Sequence, residues 1–267
     1  MTTVRLHIAY DGTAYCGWQI QPRDRTVEGE LTRAVTQILG AEEPVKVQGA
    51  SRTDSGVHAS GQVAHFYHCG DRSLWDFCRG LNGLTDDDIC VVWAEEAPHD
   101  FHARHSARGK IYRYRVWNHR FVHPFLRDRS WHAPFEIDPA RMAEGAAYLV
   151  GTHDFGGFRS VNCSSETTER TMRRVEVHAG EGPMLEVVVE GDAFLQHMVR
   201  VMVGTLVDVG AGRMAPEQVA QALETGDRAV AGVTAPAKGL TLERVFYPDF
   251  PSRCGATKIG GPHMPAD

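Results

Sequence analysis

The first hundred residues alternate strand-like and helix-like patterns of apolar positions. Val4–Tyr10 alternates apolar and polar residues, which predicts a strand ending at the turn sequence Asp11-Gly12-Thr13. From Val27 to Leu39 the apolar positions recur with a helical period, and Thr26 and Gly40 are suitable caps. The other elements predicted for this half are strands at about 45–50 and 62–67, a short helix from Ser73 and a strand over Ile89–Trp93. The predicted order is β-α-β-β-α-β.

The second half repeats this order of elements without repeating the residues. The predicted elements are a strand over Ile111–Trp117, a helix from Asp138-Pro139 to about Val150, strands at about 173–179 and 184–190, helices near 193–209 and after Pro216, and a last strand near 241–247. We therefore predict an α+β fold of two split β-α-β halves, 1–105 and 106–250, whose antiparallel or mixed sheets join across a central cleft. Residues 251–267, rich in Gly and Pro, are predicted to form a mobile tail.

The helix predicted near 193–209 carries a charge that requires a partner. Apolar residues surround this helix, so we expect it to be buried nearly all round, with Phe194 and Met198 on one face and Val199 on another. Arg200 lies on it, and Gly204 one turn later leaves room beside it. A buried guanidinium needs a carboxylate or phosphate partner, because an unpaired buried charge is very costly. The partner is either an acid near the helix ends, Asp192 or Asp208, or an acid from elsewhere in the chain.

The formal net charge of -6 hides an uneven distribution. From His102 to His132, eight Arg and Lys residues stand against the single acid Asp128, a local charge of +7 that leaves -13 for the rest. Aromatic residues are interleaved with these cations: Tyr112, Tyr114, Trp117, Phe121, Phe125 and Trp131. Cations neutralise phosphates and aromatic rings stack on exposed bases, so the mixture favours an RNA partner. The alternative is a solvated basic strand whose aromatic side faces the core, which the alternation at 112–116 also fits.

Several other classes of protein are disfavoured. Residues 1–20 contain no long apolar run, and the apolar stretch Met198–Val209 is interrupted by two charges, so we expect a soluble cytoplasmic protein without a membrane segment. The six cysteines include no Cys-x-x-Cys pair, which argues against a disulfide framework, a zinc ribbon and a zinc base deaminase. His65, His68 and Cys69 do not share a face of a strand, so no metal site is predicted.

One short polar loop combines a carboxylate with an arginine between two predicted strands. Its sequence is Ser51-Arg52-Thr53-Asp54-Ser55-Gly56-Val57-His58-Ala59. Asp-Ser-Gly is ordinary turn chemistry, because Asp bonds nearby backbone and Gly accepts a positive φ. Taken alone, the loop is therefore either a structural turn or the place where a catalytic Asp54 is presented.

The loop resembles the catalytic motif of the tRNA pseudouridine synthase A family. Other blocks resemble the family in the same order: Tyr10-Asp11-Gly12-Thr13 with Gly17-Trp18-Gln19, Tyr112-Arg113-Tyr114, Asp154-Phe155 with Phe158-Arg159, Phe194-Leu195 with Met198-Val199-Arg200, and Ala235 to Leu240. The resemblance covers about residues 3–250. Ser51 replaces the commoner Gly, and Asn162–Arg170 is polar and variable, which affects substrate-loop detail.

The resemblance implies the pseudouridine synthase fold and isomerisation of uridine at tRNA positions 38–40, in the anticodon stem and loop, by a homodimer without cofactor or metal. Asp54 would be the catalytic carboxylate, either attacking sugar or base or stabilising charge, and Arg200 would keep it ionised. Tyr112 would stack on the uracil and assist proton removal from C5. Further substrate contacts are expected from Arg52, Arg108 and Arg113, whereas His58 is assigned to loop packing.

Two alternatives remain. A noncatalytic structured-RNA-binding protein would explain the basic aromatic segment but gives Asp54 and Arg200 no reason to pair. Asp11-Gly12-Thr13 also resembles the motif of phosphate-transferring aspartate enzymes, whose second Asp is replaced by Ala9 in this chain.

Overall fold

The structure is a computed structural model that describes residues 2–69 and 72–248, and its chain divides into two units. The first unit contains the described residues up to Arg108 together with residues 245–248, and the second contains Gly109–Arg244. The predicted boundary lay after residue 105. The predicted tail, 251–267, lies outside the described residues.

The first unit has the predicted order of elements. They are β1 (Thr2–Tyr10), α1 (Val27–Leu39), β2 (Gln48–Gly49), β3 (His58–His68), α2 (Leu74–Leu84) and β4 (Ile89–Ala97). The strands lie in the order β4-β1-β3, with β2 beside β3, and every pair is antiparallel. Alternate residues of β1 are buried, including Leu6 and Ile8, and Phe77 and Leu81 of α2 are buried as well.

Capping residues determine where α1 begins and ends, whereas pairing with β1 determines the length of β3. Thr26 accepts a hydrogen bond from the Gly29 backbone, and Gly40 ends the helix with a φ of 60°. By contrast, β3 begins four residues before the predicted residue 62, since its small and polar first residues gain strand structure by pairing with β1, as at Tyr10 and Ala59. The strand predicted at 45–50 is reduced to β2.

The second unit contains the other elements: β5 (Gly109–Trp117), β6 (Trp131–His132), α3 (Pro139–Ala147), β7 (Gly151–Asp154), β8 (Glu169–Ala179), β9 (Met184–Gly191), α4 (Met198–Gly210), α5 (Glu217–Thr225) and β10 (Leu240–Phe246), whose last two residues belong to the first unit. The strand order is β10-β5-β9-β8-β7. The β5-β9, β9-β8 and β8-β7 pairs are antiparallel, and the short β6 runs parallel to β5. The α+β prediction with mainly antiparallel sheets is confirmed, whereas β6 and β7 were not predicted.

The helix predicted near 193–209 begins later than expected. It starts at Met198, because His197 has a left-handed backbone with a φ of 63° and interrupts the helical path. Phe194 therefore does not lie on α4, and its placement on a helix face was wrong. The prediction that α4 is buried nearly all round is confirmed, since its twelve residues other than Arg200 are buried. Arg200 itself is half-buried.

Candidate active site

The Asp54 loop forms a tight turn at the entrance to β3. The Val57 N–H donates to the Asp54 carbonyl at 3.1 Å, and Gly56, the third residue of the turn, has a φ of 77°. A positive φ at that position is a requirement of type II turns. The side chain of Asp54 is half-buried and that of Arg52 is exposed.

The segment from Tyr10 to Trp18 holds this turn from both sides. The Trp18 N–H donates to the Thr53 carbonyl at 3.0 Å, and the Gly56 N–H donates to the Tyr15 carbonyl at 3.3 Å. Side chains add two more bonds: the Ser55 hydroxyl donates to the Tyr15 carbonyl at 3.2 Å, and the hydroxyls of Tyr10 and Thr53 lie 2.8 Å apart. We call residues 10–18 the cradle. These four bonds anchor the neighbours of Asp54 on both sides of it.

Two glycines allow the cradle to lie against the turn. A Cβ on Gly12 would lie 2.0 Å from the Val57 carbonyl oxygen, and a Cβ on Gly17 would lie 2.7 Å from the Thr53 carbonyl oxygen. Gly17 also has a φ of 86°, which an L side chain rarely adopts. The two blocks that seemed separate in the sequence, Asp11-Gly12-Thr13 and Gly17-Trp18, are therefore a single support for the Asp54 turn.

His58 and Gln62 complete the support from β3. The buried His58 accepts a hydrogen bond at Nδ1 from the Gly12 N–H at 3.1 Å, which ties the strand to the cradle. The same nitrogen lies 3.1 Å from the Asp11 carboxylate. Because Nδ1 accepts from the Gly12 N–H, the neutral ring carries its proton on Nε2. The Gln62 side chain, which is fully buried, bonds both the N–H and the carbonyl of Ser51. Sequence reasoning missed the role of Gln62, since a lone Gln in a strand carries no signal.

The second unit contains Tyr112 and Arg200. Tyr112 lies in β5, is buried, and meets the ring of Phe194 edge-on at 5.0 Å between centroids. The Arg200 Nε donates to the Ala235 carbonyl at 2.8 Å, and the Ala235 N–H donates back to the Arg200 carbonyl at 3.0 Å. This exchange fixes the guanidinium against the segment that contains Ala235.

The surroundings of Arg200 bear on two expectations. Asp192 contacts Arg173 and Asp208 contacts Arg213, and the acid that pairs with Arg200 stays a prediction. The space at Gly204 is not left for Arg200, because a Cβ there would lie 1.8 Å from the Val233 carbonyl oxygen. Gly204 instead lets the backbone near Ala235 approach α4.

The basic strand β5 is paired with acids on its neighbours. Tyr112, Tyr114 and Val116 are buried, and the basic residues point the other way, as the alternative interpretation of this segment requires. Arg113 contacts Glu186 at 2.5 Å and Glu243 at 3.1 Å, and Arg115 contacts Glu186 at 2.9 Å. Burial alone would raise the pKa of the Glu186 carboxyl, but Arg115 and Arg113 hold it below its usual value. The role of Arg113 in substrate binding stays a prediction.

Comparison with known proteins identifies the family. A family model described as tRNA pseudouridine synthase matches residues 7–106 and 146–248. The chain belongs to the tRNA pseudouridine synthase family. A protein of Myxococcus xanthus named tRNA pseudouridine synthase A is 44% identical over 94% of this chain and 94% of its own length. Proteins with the same name from Acetivibrio thermocellus and Geobacillus kaustophilus are 43% and 44% identical over 92% of this chain, and over 100% and 95% of their own lengths.

The segments that match the pseudouridine synthase model contain some of the predicted site residues. Arg52, Asp54 and Arg200 lie inside them, together with the whole cradle. Tyr112, Arg113 and Arg108 lie between them. Arg108 is exposed, and its backbone N–H donates to the Phe246 carbonyl at 2.8 Å.

Two further features of the described residues bear on the predictions about a metal ion and a membrane segment. Within residues 2–69 and 72–248, no three His, Cys, Asp or Glu side chains are grouped so that they could hold a metal ion. None of the helices in that part of the chain has the length and apolar character needed to cross a lipid bilayer.

Proposed function

We propose that this chain converts uridine to pseudouridine in the anticodon stem-loop of tRNA, at positions 38–40, with Asp54 as the catalytic carboxylate. The observation that carries the proposal is the seating of the Asp54 turn in its cradle, in a chain that belongs to the pseudouridine synthase family. The reaction breaks the bond from uracil N1 to the ribose and joins C5 to the same sugar carbon. It is redox-neutral, so it requires no electron-transfer cofactor.

The turn geometry supports the catalytic role of Asp54. The anchors at Thr53, Ser55 and Gly56 fix the loop on both sides of Asp54, so the backbone that carries its side chain is held in place. An ionised carboxylate can attack the sugar or the base, or it can stabilise positive charge while the glycosidic bond opens. Both routes need the carboxylate charge, and replacement by an amide removes it.

Arg200 and Tyr112 are proposed as the partners of Asp54. A cation near a carboxylate favours its ionised form, and Arg200 is the cation that the family resemblance assigns to this role. Its Nε is bound by the Ala235 carbonyl, which orients the guanidinium. Tyr112 is proposed to pack against the target uracil and to assist proton removal from C5. Its ring is fixed by Phe194, which supports a defined orientation.

Substrate binding is assigned to exposed cations and aromatic rings. Arg52 and Arg108 are exposed and suit contacts to RNA phosphates, with Arg113 as a further candidate. The target base must leave the helical stack before any side chain reaches it, and Arg52, two residues before Asp54, is placed to hold the displaced nucleotide. We also propose that the protein acts in the cytoplasm as a homodimer, which the family resemblance supports.

The decisive experiment measures release of tritium from uracil C5 in tRNA. We expect release by the wild type and none by Asp54→Asn, with tRNA binding retained. Asp87→Asn is a matched control, because Asp87 is an exposed acid of the same unit, and it should release tritium at the wild-type rate. Undiminished release by Asp54→Asn would remove Asp54 from the mechanism. Absence of release by the wild type, with tRNA still bound, would favour the alternative of a noncatalytic RNA-binding protein.

A further inference from the structure

A basic cavity of about 410 Å³ lies in the first unit, next to the Asp54 loop. Its size falls within the range of roughly 300–1,000 Å³ that is typical of ligand sites. Three permanent cations line it, Lys46, Arg52 and Arg104, together with the imidazoles of His102 and His105. These residues come from three separate segments of the chain, so the cavity is a product of the fold and has no motif of its own.

The cavity is continuous with the support of the catalytic loop. Trp18 lines it and also donates its backbone N–H to Thr53, the residue between Arg52 and Asp54. The Trp18 ring lies over Gly49, where a Cβ would be 2.4 Å from the indole. Because two consecutive Cα steps span at most about 7 Å, the Cα atoms of Arg52 and Asp54 lie within that distance of each other.

The His102 ring is held by the backbone of its own loop. The His102 Nδ1 accepts hydrogen bonds from the N–H groups of Arg104 and His105, at 3.1 and 3.3 Å. Its ring lies 4.7 Å from the ring of His65 and 4.3 Å from that of His105. With Nδ1 used as an acceptor, the neutral ring carries its proton on Nε2 and can donate there.

The electrostatic balance of the cavity favours an anion. The pKa of the His102 imidazole is lowered, first by burial and then by the positive charges of His105, Arg104 and Lys46. The carboxylate in the lining, Glu28, is buried and accepts a hydrogen bond from the Ile20 N–H at 3.0 Å. Its charge is therefore partly offset by the backbone, whereas the three cations face a common space.

We propose that this cavity binds a backbone phosphate of the RNA strand that carries the target uridine. The inference rests on the proposed function, which supplies an RNA substrate. Lys46 and Arg104 are assigned to the phosphate, and Arg52 links it to the displaced nucleotide. A guanidinium suits the oxygens of a phosphodiester because it can donate two parallel hydrogen bonds, and the ammonium group of Lys46 adds a compact charge.

The test compares Lys46→Gln and Arg104→Gln with the control Arg79→Gln. Arg79 is an exposed cation on α2, so its replacement makes the same change in net charge. Binding of full-length tRNA is measured by fluorescence anisotropy over a range of KCl concentrations. We expect Lys46→Gln and Arg104→Gln each to weaken binding roughly tenfold. Each should also reduce the slope of the logarithm of the affinity against the logarithm of the KCl concentration by about 0.7 to 0.9 in magnitude. The loss should raise the KM for tRNA rather than lower the rate of tritium release at saturation.

A second measurement identifies the source of the phosphate. A bound anion raises the pKa of a nearby imidazole, so anticodon stem-loop RNA should raise the pKa of His102 in an NMR titration. Inorganic phosphate at equal ionic strength should leave it unchanged. An equal rise with inorganic phosphate alone would overturn the assignment to RNA. Lys46→Gln and Arg104→Gln variants that bind tRNA like Arg79→Gln would overturn the site itself. Failure of the wild type to release tritium would refute the proposed reaction and leave this binding comparison intact.

Discussion

The position of Asp54 depends on residues far from it in the sequence. Thr53, Ser55 and Gly56 are held by backbone groups of Tyr15 and Trp18, nearly forty residues earlier. A catalytic group must be held to within about 0.5 Å of its productive position, so small shifts of the cradle should reduce turnover before they unfold the protein. The sequence motif marks which carboxylate to consider, but only the fold shows what holds it.

Gly17→Ala tests this dependence. A Cβ at Gly17 would meet the Thr53 carbonyl at 2.7 Å and would force an L residue to a φ of 86°. We expect a stability loss of at least about 1–2 kcal/mol and a fall in tritium release of more than tenfold. Gly40→Ala is the matched control, because Gly40 also has a positive φ of 60° but has no atom within 4 Å of the added Cβ. It should lose about 1–2 kcal/mol of stability from the positive φ alone and keep its turnover. Equal turnover in the two variants would show that the cradle does not position Asp54.

The buried His65 predicts a pH dependence of stability. Burial, and then the charge of His102, lower the pKa of His65 to about 4 in the fold, from about 6.5 in the unfolded chain. The native state therefore keeps His65 neutral where the unfolded state binds a proton. Its contribution is complete above pH 6.5 and is lost as the pH falls towards 4, by about 3 kcal/mol in total. Chemical denaturation over this range should show a shallower loss for His65→Gln than for wild type. His99→Gln, an exposed control in the same unit, should follow the wild type.

The elements that sequence patterns predicted well are those set by local signals. α1 has a cap at each end and a regular apolar period, and α3 begins at the predicted Asp138-Pro139. The start of α4 was missed because the left-handed backbone at His197 leaves no mark in an apolar run. β6 and β7 were missed because strands of two and four residues exist only through their partners. Tertiary pairing, which has no local signature, decided these elements.

Aromatic residues that are close together in the sequence differ in exposure between β5 and the loop that joins β5 to β6. Tyr112 and Tyr114 are buried in β5, whereas Phe121 and Phe125 in the loop are 65% and 86% exposed. Exposed rings are suited to serve as platforms for unpaired bases. If the basic aromatic segment stacks on bases other than the target uracil, for which Tyr112 is proposed, those contacts therefore come from the loop and not from the strand.

Phe125→Ala should accordingly change tRNA affinity, whereas Tyr114→Phe should change the stability of the fold. Loss of the Phe125 ring should weaken tRNA binding by the roughly 1–3 kcal/mol of one stacked base and leave the free energy of unfolding within about 0.5 kcal/mol. Tyr114 donates its hydroxyl to the Pro236 carbonyl at 2.7 Å, so Tyr114→Phe should cost about 1 kcal/mol of stability and spare tRNA affinity. Denaturant titration and anisotropy on both variants check the pair. A Phe125→Ala variant with unchanged affinity would assign the exposed loop another role.

For the whole molecule, neither net charge nor local charge counts describe what an RNA would meet. The local charge of +7 was counted along the sequence, but Arg113 and Arg115 are balanced by Glu186 and Glu243 on adjacent strands. Conversely, Lys46 lies outside the basic segment and lines the cavity with Arg104. A sequence count cannot pair charges across strands, so it overstated β5 and missed the cavity. The local count did predict a negatively charged partner, which agrees with the proposed tRNA substrate.

The salt dependence of tRNA binding tests this charge distribution. If affinity followed the net charge of -6, added salt would screen repulsion and strengthen binding. If local cations contact phosphates, salt must weaken binding, by a slope of about 0.7 to 0.9 in the logarithm of the affinity for each phosphate neutralised. With Lys46, Arg52, Arg104 and Arg108 as contacts, we expect a slope near -3 between 50 and 200 mM KCl. Asp54→Asn should show the same slope, because the loss of one carboxylate at the target base releases no counterion from the phosphates. A flat affinity would mean that recognition depends on uncharged contacts, and an affinity that rises with salt would mean that the net charge dominates.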